Sequence, residues 1–155
     1  YERLQGAMLF DGAPAKLAER LALLGFAELV PEIAQVAKLG NVSVDAAAKA
    51  ILAINAHFRI GRIEEAARTI APTDYYDGLA LSRAHDMIAA ARRGMAVTAL
   101  LQHSQAADPV AEWIASGGER IGRARERLQN LTESGEISLS RLSVAAGLMN
   151  DLTGL

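Results

Sequence analysis

The chain has 155 residues, of which 51% are hydrophobic and only 5% aromatic, and its formal net charge at pH 7 is −2. Because it contains no cysteine, disulfide frameworks, thiolate catalysis and cysteine-based zinc sites are excluded. The interspersed charges form no basic stripe of the kind that nucleic-acid-binding proteins carry, and no uncharged apolar stretch of about 18 residues predicts a membrane span.

Proline and glycine divide the first part of the chain into short predicted helices. The first runs from Tyr1 toward Phe10, and the second from Pro14 to near Gly25. Pro31 suits the first turn of a third helix, which is expected to end at Leu39–Gly40, with Gly40 as the residue that follows it. The start at Tyr1 rather than methionine, without a signal peptide, indicates a fragment of a longer chain.

Ser43 is a suitable N-cap for a fourth helix, whose apolar residues recur every three or four positions. These residues are Val44, Ala47, Ile51, Ile54 and Phe58. Gly61 is expected to break or end this helix, and a short fifth helix is predicted from Arg62 to Ile70, before Pro72.

Asp74 is predicted to cap the longest helix, with Asp77 in its first turn. Seven residues are expected to share one face of this helix. They are Tyr76, Ala80, Ala84, Met87, Ala91, Met95 and Thr98.

Asp108–Pro109 is a strong helix start, and Gly117–Gly118 indicates a kink or a close approach of two helices. Ser134–Gly135 is expected to end this helix, and Ser138 to cap the last one. Its inward residues are predicted to be Leu139, Leu142, Ala146, Met149 and Leu152. The sequence therefore predicts one all-α domain over residues 1–155, a multi-helix bundle in which short N-terminal helices precede three longer, mainly antiparallel helices.

The motifs that carry catalysis, cofactors or metals are missing from the sequence. There is no glycine-rich phosphate loop, and Gly117–Gly118 is better explained by close packing than by phosphate binding. His57, His85 and His103 are interpreted as surface or boundary histidines, because none lies in a metal-binding motif. Glu64–Glu65 is interpreted as part of a solvated face. We therefore predict no catalytic, cofactor-binding or metal-binding residue in this segment.

Two arginine groups allow a different kind of role. The pair Arg92–Arg93 lies in the long helix, and Arg120, Arg123, Arg125 and Arg127 follow later, with a Glu119–Arg123 ion pair at i,i+4 spacing. The favoured interpretation is a solvated face with local ion pairs; the alternative is a rim that meets another domain or subunit. The aromatic residues most able to anchor such a contact are Tyr75, Tyr76 and Trp113, although core packing is expected for Tyr76 and Trp113.

Several segments, in this order, resemble the C-terminal helical region of the large bacterial NAD-specific glutamate dehydrogenases. They are Leu17–Phe26, Pro31–Ala37, Val44–Gly61 with its ending Phe58-Arg59-Ile60-Gly61, Tyr75–Ala84 and Val110–Trp113, followed by the closing amphipathic helix. The resemblance covers nearly the whole chain. It implies a cytoplasmic, homo-oligomeric parent enzyme that deaminates L-glutamate oxidatively to 2-oxoglutarate and ammonia with NAD.

The resemblance also implies that the NAD site and the catalytic lysines of the parent lie upstream of Tyr1. The segment itself would then be a non-catalytic structural or regulatory part without a cofactor, in contact with the catalytic domain or a neighbouring subunit and with neither nucleic acid nor membrane. The alternative is a free-standing helical module for protein–protein interaction. A small helical enzyme that uses His85 or His57 is a third, less favoured hypothesis.

Overall fold

The computed structural model describes residues 29–133 and 136–153, and every regular element within them is helical. The helices are α1 (Val30–Gly40), α2 (Val44–His57), α3 (Ile60–Ala67), α4 (Tyr75–Gln102), α5 (Pro109–Glu133) and α6 (Leu139–Leu152). The all-α prediction is confirmed. The two helices predicted before Gly25 and the Ser134–Gly135 stop lie outside the described residues.

The chain divides into two compact units between Lys49 and Ala50, within α2. In the first unit Ile33 and Val36 of α1 are buried. The second unit contains the rest of α2 and the helices α3 to α6. That residues 1–155 form one domain stays a prediction.

The ends of α1 and the start of α2 follow from local hydrogen bonds. Pro31 lies in the first turn of α1, as predicted, but Gly40 belongs to the helix, and the left-handed residue after it is Asn41, with φ 54°. Asparagine tolerates this conformation better than most residues. The Ala46 N–H donates to Ser43 Oγ at 3.1 Å, which confirms Ser43 as the N-cap of α2.

The break between α2 and α3 comes earlier than Gly61, contrary to the prediction. Helix α2 ends at His57, and Arg59 adopts a left-handed conformation with φ 55°. This turn leaves Arg59 in solvent while Phe58 and Ile60, on either side of it, are buried. The burial of two apolar residues therefore decides the position of the break. Helix α3 consequently begins at Ile60 and ends at Ala67, and Gly61 lies inside it.

Helix α4 begins as predicted but buries a different part of its surface. The Asp77 N–H donates to Asp74 Oδ1 at 2.7 Å, which confirms the N-cap. Ala84, Ala91 and Met95 of the predicted face are buried. Tyr76, however, is 78% exposed, so the prediction that it packs in the core is wrong, and Met87 on the same face is 42% exposed. Residues 75–83 include no buried side chain, and the N-terminal part of α4 therefore contributes no core.

The core of the second unit lies where α4 packs against α6 and α5, and α6 also contacts α5 and α3. Small residues let α4 and α6 approach closely. A Cβ atom at Gly94 would lie 2.9 Å from Thr153 Cγ2, and Thr98 Oγ1 donates to the Thr153 carbonyl at 3.2 Å. The predicted residues Leu142, Ala146, Met149 and Leu152 of α6 are buried, and Leu139 is half-buried. The mainly antiparallel order of the helices stays a prediction.

Helix α5 contains the predicted kink. The Ala111 N–H donates to Asp108 Oδ1 at 3.1 Å at its start, and Gly118 interrupts it with φ 53° and ψ −131°. Buried residues lie on both sides of the kink, Trp113 before it and Ile121 after it. A Cβ atom at Gly117 would lie 2.0 Å from Ile121 Cδ1, so the close contact at this glycine is within α5 itself.

Candidate interaction surface

The most buried charge in the second unit is the guanidinium of Arg92, which is 1% exposed. Its Nη1 donates to Glu64 Oε1 at 2.8 Å and to Asn55 Oδ1 at 2.9 Å, and its Nη2 donates to Glu64 Oε2 at 3.1 Å. This bidentate ion pair joins α4 to α3 and, through Asn55, to α2. The geometry assigns Arg92 a structural role, because the groups that could bind a ligand are used between helices.

Sequence reasoning missed this cluster, having interpreted Arg92 and Glu64 as parts of solvated faces. A signal was present, because Arg92 is four residues after Ile88 and three before Met95, both buried. A charged residue inside an apolar stripe predicts a buried partner. Gly61 supports the same cluster, since a Cβ atom there would lie 3.1 Å from Asn55 Nδ2.

His57 lies at the end of α2, beside a small aromatic cluster. Its ring is 4.7 Å from Phe58, edge to face, and Phe58 is 6.4 Å from Trp113. Arg125 Nε donates to the His57 carbonyl at 3.0 Å. Burial and, secondarily, the positive charge of Arg125 lower the pKa of His57 below 6.5. His57 therefore favours its neutral form in the folded chain.

The titration of His57 should make folding less favourable in mild acid. The pKa of His57 is lower in the folded chain than the value of 6.5 expected for the unfolded chain. The contribution of neutral His57 to folding stability is therefore complete above pH 6.5 and is lost as the pH falls through the folded pKa. We expect NMR titration to place the His57 pKa below 6.5 in the folded chain. Arg125→Gln should raise this pKa and Arg125→Lys should raise it less, since lysine retains the charge. A His57 pKa at or above 6.5 would contradict this assignment.

The other polar residues considered in the sequence analysis include Ser138, His85 and His103. Ser138 is a helix cap, and the two histidines are at boundary positions. Ser138 Oγ accepts from the Arg141 N–H at 3.2 Å, as a cap does. In residues 29–133 and 136–153, no group of three or more histidine, aspartate or glutamate side chains is placed to hold a metal ion. His85 and His103 are half-buried, consistent with boundary positions.

The indole of Trp113 is part of the core, as predicted, with 1% of the residue exposed. Within the described part of the chain its Nε1 atom is buried without a hydrogen-bond partner, and so is His103 Nε2. An unpaired buried N–H weakens folding by about 1–3 kcal/mol relative to a paired one. Trp113 therefore contributes to the fold by its packing.

A groove between α5 and α6, the α5–α6 groove, is a concave surface formed by described residues. It consists of two adjoining depressions of about 280 Å³ and about 200 Å³ that share Arg127 and Leu148. Arginines line its rim and aliphatic side chains its floor. The rim contains Arg120, Arg123, Arg127 and Arg141, and the floor contains Ala124, Leu131, Val144, Leu148 and Leu152.

The structure brings together three of the four clustered arginines, and separates Arg125 from them. Arg120, Arg123 and Arg127 follow a spacing of three and four residues, so they share one face of α5. Arg123 also forms the predicted ion pair with Glu119, and both side chains are largely exposed. Arg125 instead reaches the His57 carbonyl. Sequence reasoning did not identify the contribution of α6 to the groove.

A second exposed apolar surface lies at the N-terminal end of α4. Tyr75 and Tyr76 are 74% and 78% exposed, their rings lie 5.8 Å apart, and Leu79 is also exposed. Exposed neighbouring aromatic residues are more typical of interaction surfaces than of free surfaces.

Among the helices that the structure describes, none combines the length and the apolar character of a membrane span.

Comparison with protein families gives the context of these surfaces. The family described as "Glutamate dehydrogenase, C-terminal" matches residues 1–151. The chain belongs to this glutamate dehydrogenase C-terminal family. No curated protein and no solved structure matches the chain. The buried Arg92 cluster and the α5–α6 groove are thus features of a glutamate dehydrogenase C-terminal region.

Proposed function

We propose that the chain is the non-catalytic, structural or regulatory C-terminal domain of a large bacterial, NAD-dependent glutamate dehydrogenase of the cytoplasm. Its parent enzyme would deaminate L-glutamate oxidatively to 2-oxoglutarate and ammonia, with NAD bound in the upstream catalytic part. The observation that carries this proposal is the family match over residues 1–151. The ordered sequence resemblance to the NAD-specific enzymes supports the finer assignment.

The use of the polar side chains supports a non-catalytic role. Catalysis needs acids, bases or nucleophiles that are free to meet a substrate. Here Asp74 and Asp108 accept backbone N–H groups at helix starts. Glu64 and Asn55 hold the buried Arg92. These residues stabilise helices and the contacts between them.

The exposed surfaces support contact with another protein surface. Tyr75, Tyr76 and Leu79 form an apolar patch, and the α5–α6 groove adds a second surface of a different character. In the proposed role these surfaces face the catalytic domain or a neighbouring subunit of a homo-oligomer. The groove equally favours the alternative, a free-standing protein-interaction module. The two are distinguished by whether a dinucleotide-binding βαβ unit is encoded upstream.

The test is an assay of glutamate-dependent NAD reduction, followed by the absorbance of NADH, with the purified 155-residue chain and with the complete enzyme. We expect turnover by the complete enzyme and none by the chain alone. In the complete enzyme, Tyr75→Ser together with Tyr76→Ser should change the subunit stoichiometry in native mass spectrometry or the rate of turnover. Turnover by the isolated chain would overturn the non-catalytic assignment. If the double variant had the original subunit stoichiometry and turnover, the tyrosine patch would lie outside the interface.

A further inference from the structure

We infer that the α5–α6 groove binds an acidic amphipathic helix. That this helix belongs to the catalytic part or to a neighbouring subunit of the same enzyme rests on the proposed function. The shape, the aliphatic floor and the charge of the groove support this binding chemistry.

The groove has the length of a short helix. On α5 its residues extend from Arg120 to Leu131, and on α6 from Arg141 to Leu152. Each stretch corresponds to about 16 Å, or about three helical turns. Val144 and Leu148, four residues apart on α6, present adjacent apolar side chains, and Val144 is 45% exposed. Apolar side chains in a concave surface of this length suit the apolar stripe of a third helix.

The rim determines the sign of the charge on the partner. Four arginines and one acidic residue, Asp151, line the groove, and Glu119 pairs with Arg123, which together give a formal charge of +2. The whole chain has a net charge of −2, so positive charge is concentrated at this surface. The Glu119–Arg123 ion pair is exposed and therefore weak, so Arg123 can exchange Glu119 for an acidic side chain of the partner. A helix with glutamate or aspartate beside its apolar stripe would complement this rim.

The same features argue against other anionic partners. No aromatic side chain lines the groove, so it offers no surface on which nucleic-acid bases could stack. The aliphatic floor lies between α5 and α6, so the flat surface of a bilayer would make little contact with it. An acidic helix is the partner that uses both the floor and the rim.

The experiment measures fluorescence anisotropy of a labelled synthetic peptide with the 155-residue chain. The peptide has about fourteen residues, slightly more than the groove length, with leucines on one helical face and glutamates elsewhere. We expect saturable binding that weakens between about 0.1 M and about 0.5 M NaCl. Arg120→Glu with Arg127→Glu should weaken binding at least about tenfold, and Val144→Asp should do the same through the floor.

Matched controls separate this proposal from unspecific attraction. Arg62→Glu with Arg83→Glu changes the net charge equally on exposed residues outside the groove and should leave the affinity within about twofold. A peptide of equal composition with scattered leucines should bind at least about tenfold more weakly. Absence of saturable binding, equal binding of both peptides, or equal losses in both double variants would overturn the inference. So would tighter binding to phosphatidylglycerol vesicles than to the peptide.

The outcome is separable from that of the proposed function. Peptide binding together with glutamate turnover by the isolated chain would support the helix-binding groove and contradict the non-catalytic assignment. No peptide binding, together with turnover by the complete enzyme alone, would contradict the helix-binding groove and support the non-catalytic assignment.

Discussion

Replacing Glu64 with leucine is expected to lower the free energy of unfolding by about 3–5 kcal/mol. The substitution leaves the guanidinium of Arg92, which is 1% exposed, without the carboxylate that accepts two of its hydrogen bonds. Removing a carboxylate from a buried charge is far more unfavourable than replacing the whole pair, because the carboxylate had taken the place of the water that solvates an exposed guanidinium. Urea unfolding followed by circular dichroism measures the difference.

The adjacent residue Glu65 provides the matched control for this prediction. Glu65 lies in the same helix but is exposed, so Glu65→Leu should change the free energy of unfolding by no more than about 0.5 kcal/mol. The double variant Glu64→Leu with Arg92→Met should recover part of the loss, since the apolar pair needs no solvation but Asn55 Oδ1 loses a donor. A loss below about 1 kcal/mol for Glu64→Leu would show that the ion pair does not support the fold as described.

Replacing Gly118 with alanine is expected to lower the free energy of unfolding by about 1–3 kcal/mol. The cause is backbone conformation alone. Gly118 has φ 53° and ψ −131°, which a residue with a Cβ atom adopts only with strain, whereas space around the site is open. Thermal unfolding of the variant should show a lower Tm than the original chain.

Gly122, four residues later in α5, is the control for the Gly118 prediction. It is also exposed and surrounded by open space, but its φ is not in the left-handed region. Gly122→Ala should therefore raise the free energy of unfolding by about 0.5–1 kcal/mol through helix propensity. If Gly118→Ala were stabilising to the same extent, the kink would not require glycine.

Much of the fold could be predicted because helix starts depend on neighbouring residues. Ser43, Asp74, Asp108 and Ser138 were each expected as N-caps, and each accepts a hydrogen bond from the backbone three residues later. The end of α2 could not be predicted in this way. It depends on the burial of Phe58 and Ile60, which local propensity does not report, and glycine at position 61 was therefore a misleading signal.

The candidate surface was predictable only in part. The sequence grouped four arginines between Arg120 and Arg127 as one cluster. Arg120, Arg123 and Arg127 line the groove, whereas Arg125 donates to the His57 carbonyl. The floor residues Val144 and Leu148 come from α6, and their position beside these arginines depends on how two helices pack. A pattern within one helix contains no information about which other helix lies beside it.

The all-α class and the N-caps follow from the sequence, because they depend on interactions within about four residues. At Gly117–Gly118 the sequence allowed either a kink or a close approach of two helices, and the backbone of Gly118 shows the kink. The burial of Arg92 beside Glu64 and the exposure of Tyr76 depend instead on how the helices pack. The physical reason is that a side chain loses its water only when another element covers it. An apolar or charged position in one helix therefore acquires its role from the helices that pack against it.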